Sequence, residues 1–361
     1  MLPAAGFSGG LFVYLMFWRH ESALCVFAPH NIDATWSRQI GFSMNNRENK
    51  YDHMILRAED KAINWYPGHM ARAKRKLVEQ LSRVDVVVEL CDARIPRASR
   101  NPDLSELVKN KKRLLILNKA DLAEEAETRA WLAYYRSQGM DCMSFDSAKG
   151  RAKDVIARIE KAASEAVARM AARGVKKTVR VMIVGVPNVG KSTFTNKVNG
   201  VSIAKTGDRP GVTRNNQWVR ITPYLELLDT PGLLWPKLDD QDDARALAFV
   251  GTINDQIMDY QMLSVHLLEK LMKEKREATV QRFKIKNAEA HDVELLHEAC
   301  RGRGWLMPGG VLDTDRGAAV ILDEFRGGKV GRITLQKAPA KPEKKPESKA
   351  EDKPETPVQP E

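Results

Sequence analysis

Short apolar runs rich in β-branched residues recur along the chain from residue 84 and read as buried strands: Val84–Leu90 (VDVVVEL), Arg113–Leu117, Asp141–Phe145, Val179–Val184 (VRVMIV), Gln217–Ile221 and Tyr224–Leu228. Helix-compatible stretches lie between or beside them, over Ala152–Arg173 and through STFTNKVNG, Ser192–Gly200. Ahead of the first strand, Pro67 and Gly68 fit a turn, and Met70, Leu77 and Leu81 then share one helical stripe. Arg72, Lys74, Arg75 and Lys76 fall largely off that stripe, a basic cluster that suits a solvated face as well as a phosphate-contacting one. The pattern turns helical from Asp243 to Arg282 and again over Asp292–Cys300. Glycines in RGRGWLMPGG interrupt it, Asp315–Phe325 resumes it, and RGGKVGRITLQ closes the body. Alternating strands and helices predict an α/β domain, and the later helices predict a small helical domain after it.

Both ends differ from the body. Leu11–Trp18 (LFVYLMFW) is apolar but far shorter than the roughly 18 residues a membrane span needs, and no Lys or Arg precedes Arg19. Residues 1–53 are therefore expected to be an extension, disordered or not translated, with a natural start near Met54. From Lys337 the chain carries six prolines and almost nothing apolar. It cannot bury enough surface to order itself, so 338–361 is expected to be a disordered tail. This leaves 54–238 for the α/β domain and 239–337 for the helical one.

Composition sharpens this picture. Across 361 residues, 58 Lys+Arg oppose 47 Asp+Glu, giving a net charge of +11. Residues 1–53 are balanced, four against four, and 338–361 hold five basic against six acidic. The positive excess belongs to the folded part, which suits a polyanionic partner such as RNA. Arg301, Arg303, Arg326, Lys329 and Arg332 are candidates for phosphate contacts, with ordinary solvated charge as the alternative. Four scattered cysteines have neither metal-ligand spacing nor a disulfide pattern, as in a reducing cytoplasm.

The strand Val179–Val184 runs into GVPNVGKST, in which Gly185, Gly190, Lys191 and Ser192 satisfy G-x-x-x-x-G-K-[ST]. Strand, glycine-rich loop and helix form a phosphate cradle: backbone N–H groups and the helix N-terminus face the phosphates. Lys191 reaches the β- and γ-phosphates and Ser192 ligates Mg²⁺, with Asn188, Val189 and Thr193 completing the loop. After the strand at 113–117 comes Asn118-Lys119-Ala120-Asp121, the N-K-x-D pattern. The Asp121 carboxylate can accept from guanine N1–H and the exocyclic amine, whereas adenine would leave it unpaired at a cost of about 1–3 kcal/mol. Asp146-Ser147-Ala148-Lys149 follows the next strand, in place to back the base through a backbone N–H to O6. Thr213 ends KTGDRPGVT, where a switch threonine reaches Mg²⁺. In Asp229-Thr230-Pro231-Gly232, Asp229 is placed to hold Mg²⁺ through water and Gly232 N–H to touch the γ-phosphate.

The order is unusual, since the base-reading strings precede the phosphate loop. An ordinary GTPase starts with the phosphate loop, so the fold class expected is a circularly permuted P-loop GTPase domain followed by helices. With WYPGHM, DARIP, NKAD, GVPNVGKST, GDRPGVT and DTPGLLWPK in this order, the chain resembles the YlqF/RbgA family of ribosome biogenesis GTPases over about Ile63–Gln336. That resemblance implies a cytoplasmic GTPase that binds a late precursor of the large ribosomal subunit and its rRNA and is stimulated by that particle. A monomer with no membrane association is expected, using GTP/GDP and Mg²⁺. Leu233 stands where many GTPases carry a water-orienting glutamine, and leucine can neither donate nor accept. His69 in YPGHM is the candidate substitute, and the resemblance assigns the catalytic role to that histidine. Asn188 resembles the asparagine through which some related GTPases use K⁺. Two other classes stay open on sequence alone: an RNA-binding module with GTP as a structural ligand, which Leu233 keeps open, and an ATPase or kinase, which Asp121 opposes.

Overall fold

The structure is a computed structural model that describes residues 16–17, 24–25, 68–200, 217–230, 232, 240–253 and 259–340. The chain divides into two compact units, Met1–Arg57 and Ala58–Glu361. In the first, β1 (Met16–Phe17) pairs antiparallel with β2 (Leu24–Cys25), a pairing the extension's composition does not announce.

The second unit is built on a six-stranded sheet, whose members are β3 (Val86–Asp92), β4 (Lys112–Asn118), β5 (Asp141–Ser144), β6 (Val179–Val184), β7 (Gln217–Thr222) and β8 (Leu225–Asp229). Their spatial order is β5-β4-β3-β6-β8-β7, parallel throughout except for β7, which returns antiparallel to β8. Strands covered on both faces are mostly apolar on both, and β3 is buried at every position, its charged Glu89 and Asp92 included. Alternation along β4 sorts its side chains between two cores. Leu114 and Ile116 pack in one cluster with Val155 and Ile159 of α4 (Ala152–Ala171) and Phe194 of α5 (Lys191–Asn199). Leu115 and Leu117 face Trp131, Leu132 and Tyr135 of α3 (Glu125–Ser137). Before the sheet, α1 (Gly68–Leu81) buries Leu77 and Leu81 and leaves Arg75 and Lys76 exposed. The short α2 (Pro102–Leu107) begins at the last residue of the Arg- and Pro-rich stretch CDARIPRASRNP.

The helical expectation over Asp243–Arg282 resolves into two helices, α6 (Gln241–Phe249) and α7 (Tyr260–Phe283). The break has visible signals: Gly251 at φ +73° follows α6, and the Asp259 side chain caps α7 by accepting from Met262 N. Lys275 is non-helical inside α7. Then come α8 (Asp292–Arg303), ended by Gly304 at φ +66°, and α9 (Thr314–Arg326), capped by Asp313. Leu247, Leu267, Leu296 and Leu322 of these helices belong to the same buried cluster as Val181 and Ile183 of β6. The cysteines Cys91, Cys142 and Cys300 are buried and unpaired, serving as small apolar residues.

Beyond α9 the chain crosses back over the loops that follow β3 and β4. Leu335 N donates to Arg94 O at 2.8 Å and Ile333 N to Leu122 O at 3.0 Å. The Gln336 side chain accepts from Arg97 N and Ala98 N, both at 3.0 Å, and donates to Asp243 at 2.6 Å. Among the described residues no helix is long and apolar enough to cross a membrane.

Candidate functional site

Parallel strands deliver their C-terminal loops to one edge of the sheet. At that edge lie the loops after β4, β5, β6 and β8, which carry the candidate residues.

The phosphate loop leaves β6 with Asn188 at φ +61° and Gly190 at φ +89°. A Cβ at Gly190 would stand 2.7 Å from Asn118 Nδ2, so glycine here serves both the left-handed backbone and the approach of the base-reading loop. Gly190 is the N-cap of α5 and makes no side-chain cap, and a helix N-terminus of this kind suits an anion. Lys191 is buried, and its Nζ spans the loop, donating to Gly185 O at 3.2 Å and Val186 O at 2.9 Å. Ser192 lies in the first turn of α5.

The N-K-x-D loop is bonded directly to that cradle. Buried Asn118 donates from Nδ2 to Val189 O at 2.8 Å, and Lys119 from Nζ to Asn188 O at 2.6 Å. Lys119 holds φ +56°, an uncommon conformation for a residue with a side chain. The Ser147 hydroxyl donates to Asn118 Oδ1 at 2.7 Å, bringing the third loop into the same network. Ala120 N donates to Phe145 O, and Asp121 is half-buried, its carboxylate making no hydrogen bond or ion pair among the described residues. Asn118, Lys119, Ser147, Asn188, Val189, Gly190 and Lys191 are thus brought together although the chain presents them in three separate stretches.

One contact differs from expectation. Asp146 Oδ1 accepts from Ala148 N at 2.7 Å and Lys149 N at 3.1 Å. In this Asx turn the Ala148 and Lys149 N–H groups, candidates for backing guanine O6, have the Asp146 carboxylate as acceptor. Lys197 Nζ steadies the same turn by donating to Ala148 O at 2.8 Å.

Gly232 lies against the cradle, where a Cβ would meet Pro187 Cα at 2.7 Å. Thr230 donates to Ile183 O at 2.6 Å. β8 ends at Asp229, in register with Ile183 two residues before Gly185, so its backbone reaches the same edge. Thr213 and Leu233 lie outside the described residues, as do the side chains of His69 and Asp229.

Other residues at this edge carried no expectation. Asp92, the last residue of β3, is fully buried, paired with Arg94 at 2.9 Å and Lys119 at 3.1 Å. Burial pushes its carboxyl up, but the Arg94 and Lys119 cations and the Arg94 hydrogen bonds outweigh that and hold it far below the usual carboxylate range. Thr252 donates to Pro187 O at 3.0 Å and Gly251 O accepts from Asn188 Nδ2 at 2.6 Å. The signal for Asp92 and Arg94 is DAR at the end of a buried strand; Gly251 and Thr252 have none. Among the arginines proposed for phosphate contacts, Arg301 pairs with Glu294 and Glu298, and Arg303 with Glu324. Arg326 donates to Phe249 O and Ala248 O, and Arg332 to Asp121 O. Internal acceptors therefore engage these four side chains.

A Walker-type loop leading a helix, cross-bonded to an N-K-x-D loop, defines a P-loop GTPase. A family model described as "50S ribosome-binding GTPase" matches residues 180–295. Ribosome biogenesis GTPase A of Bacillus cereus is 42% identical over 276 residues, covering 76% of this chain and 93% of that protein. Its counterpart in Priestia megaterium is 44% identical over 276 residues, covering 76% and 96%. Among solved structures, GNP-bound YlqF from T. maritima superposes with a TM-score of 0.54 at 27% identity, over 74% of this chain and 98% of that one. The chain belongs to the ribosome biogenesis GTPase A family, RbgA/YlqF, and is a GTP hydrolase.

Proposed function

We propose that this GTPase binds a late precursor of the large ribosomal subunit in the cytoplasm and couples GTP hydrolysis to maturation of the particle and to its own release. The carrying observation is the pair of bonds from Asn118 and Lys119 to the phosphate-loop backbone, which makes base recognition and phosphate binding one rigid site. The names of its relatives supply the ribosomal context. The sheet order supports a circular permutation, with the chain entering at β3 instead of at the phosphate-loop strand β6. Residues 54–238 then form the GTPase domain and 239–337 a helical domain that meets rRNA.

Asp121 accepts the two guanine donors, Asn118 and Ser147 hold its loop, and Ala148 N–H takes O6 after leaving Asp146. Phosphate-loop N–H groups and Lys191 neutralise the triphosphate. The oxygen donors Ser192, Thr213 and Asp229 suit Mg²⁺, and Ser192 and the end of β8 lie at one edge of the sheet. Bound there, the ion supplies charge neutralisation between the phosphates. With Leu233 unable to orient water, His69 takes that task, and Gly232 N–H marks the γ-phosphate. Asn188 is the residue through which K⁺ would act.

Co-sedimentation with purified large subunits tests this reading. A non-hydrolysable GTP analogue should hold the protein on the particle and GDP should free it, while particles raise GTP turnover. Equal, weak sedimentation in both nucleotides with unstimulated turnover would refute it.

A further inference from the structure

Asp92 sits where the nucleotide site meets the C-terminal helices. Its Oδ1 accepts from Arg94 N and Arg94 Nε, both at 3.0 Å, and its Oδ2 from Arg94 Nη2 at 2.9 Å. Oδ2 also pairs with Lys119 Nζ at 3.1 Å. That same Nζ donates to Asn188 O in the phosphate loop at 2.6 Å. Arg94 is only 1% exposed, and its remaining nitrogen, Nη1, donates to Phe325 O and Arg326 O, each at 3.2 Å. These are the last carbonyls of α9, and the guanidinium also lies 5.1 Å from the Phe325 ring centroid.

A second route leads back. Arg326 donates from Nε to Phe249 O at 3.0 Å and from Nη2 to Ala248 O at 2.9 Å, at the end of α6. Two residues beyond Phe249, Gly251 O accepts from Asn188 Nδ2 at 2.6 Å. The phosphate loop is therefore tied to the C-terminus of α9 by two routes, both ending on Asn188: one of charge-assisted bonds through Lys119, Asp92 and Arg94, the other through Arg326, the backbone after α6 and a neutral amide bond to Gly251.

We propose that Asp92 and Arg94 are positioning residues for the nucleotide: they fix Lys119 between the base-reading and phosphate loops and thereby couple guanine-nucleotide affinity to the docking of α9. This rests on the reading of Lys119 and Asn188 as parts of the nucleotide site. An arginine is required because only its planar fork can bind both carboxylate oxygens and still reach the α9 carbonyls. Coupling of this kind is reciprocal, so nucleotide tightens α9 and loosening α9 weakens nucleotide binding.

Hydrogen exchange on the full-length wild-type chain, with and without GDP, tests the coupling without any mutation. GDP should slow exchange at the phosphate loop and at the C-terminal turn of α9 together. Protection at the phosphate loop with none at α9 would overturn the coupling, whereas no protection at the phosphate loop would overturn the site assignment on which it rests. Phe325→Leu, distant in sequence from every nucleotide-contacting string, should raise the GDP Kd by about fivefold or more. Arg94→Ala should raise it further and abolish the α9 protection, and Arg94→Lys should recover part of both. A Phe325→Leu protein that folds and binds GDP with the wild-type Kd would contradict the proposal.

Discussion

Asn118 shows how much one side chain does at this site. It donates to Val189 O and accepts from Ser147 while fully buried, so Asn118→Ala leaves a carbonyl and a hydroxyl without their partner. The expected cost is about 1–3 kcal/mol, read as a lower urea midpoint together with a GDP Kd raised about tenfold or more by titration calorimetry. His69→Ala should behave oppositely, lowering the GTP turnover rate while leaving nucleotide affinity unchanged; an equal loss of both would remove histidine from the catalytic role. Asp92 makes a pH prediction. Its folded-state pKa is depressed, so above the unfolded value of about 3.9 the ion pair contributes its full stability, and this is lost as pH falls below that value. Urea unfolding between about pH 5 and pH 2 should therefore show a steeper loss of stability for wild type than for Asp92→Asn, by up to about 1.4 kcal/mol per pH unit. Parallel slopes would refute the depressed pKa. In these residues the sequence was informative wherever chemistry repeats in a fixed string, and silent about Gly251, which contributes only a carbonyl.

At the scale of elements, strands were easier to read than helices. Val179–Val184 is bounded as its apolar run suggests, because every position except the exposed Arg180 is apolar and buried. No element is expected between Asp121 and Asp141 on the grounds given above, yet α3 forms there. Its buried Thr128, Trp131, Leu132 and Tyr135 have i, i+3, i+4, i+7 spacing, but its N-cap, Glu124, makes no side-chain cap and so sends no start signal. The segment after α9 is legible still less, since its order comes from long-range hydrogen bonds to loops far away in the chain. Gln336→Ala removes three of these, and we expect a stability loss of about 1–3 kcal/mol in urea with the secondary structure by circular dichroism unchanged. Gln336→Glu would keep the acceptor for Arg97 and Ala98 while opposing Asp243, separating the two contributions.

For the whole molecule, the order of strings in the sequence and the order of strands in the sheet answer each other. The N-K-x-D and S-A-K strings come first in the chain, the phosphate loop second, and the sheet sets β4 two strands from β6 so that their loops touch. One consequence is mechanical: the DTPG segment leads directly into the C-terminal helices, which share a buried core with β6. The most direct measurement is a change of base specificity by Asp121→Asn. Replacing the carboxylate by an amide removes the acceptor for the guanine amine and supplies a donor for the 2-oxo group of xanthine. The account predicts that the variant loses GTP affinity by about ten- to a hundredfold and gains hydrolysis of XTP, with the phosphate loop untouched. Unchanged preference for GTP over XTP would mean that the two strings do not serve one pocket.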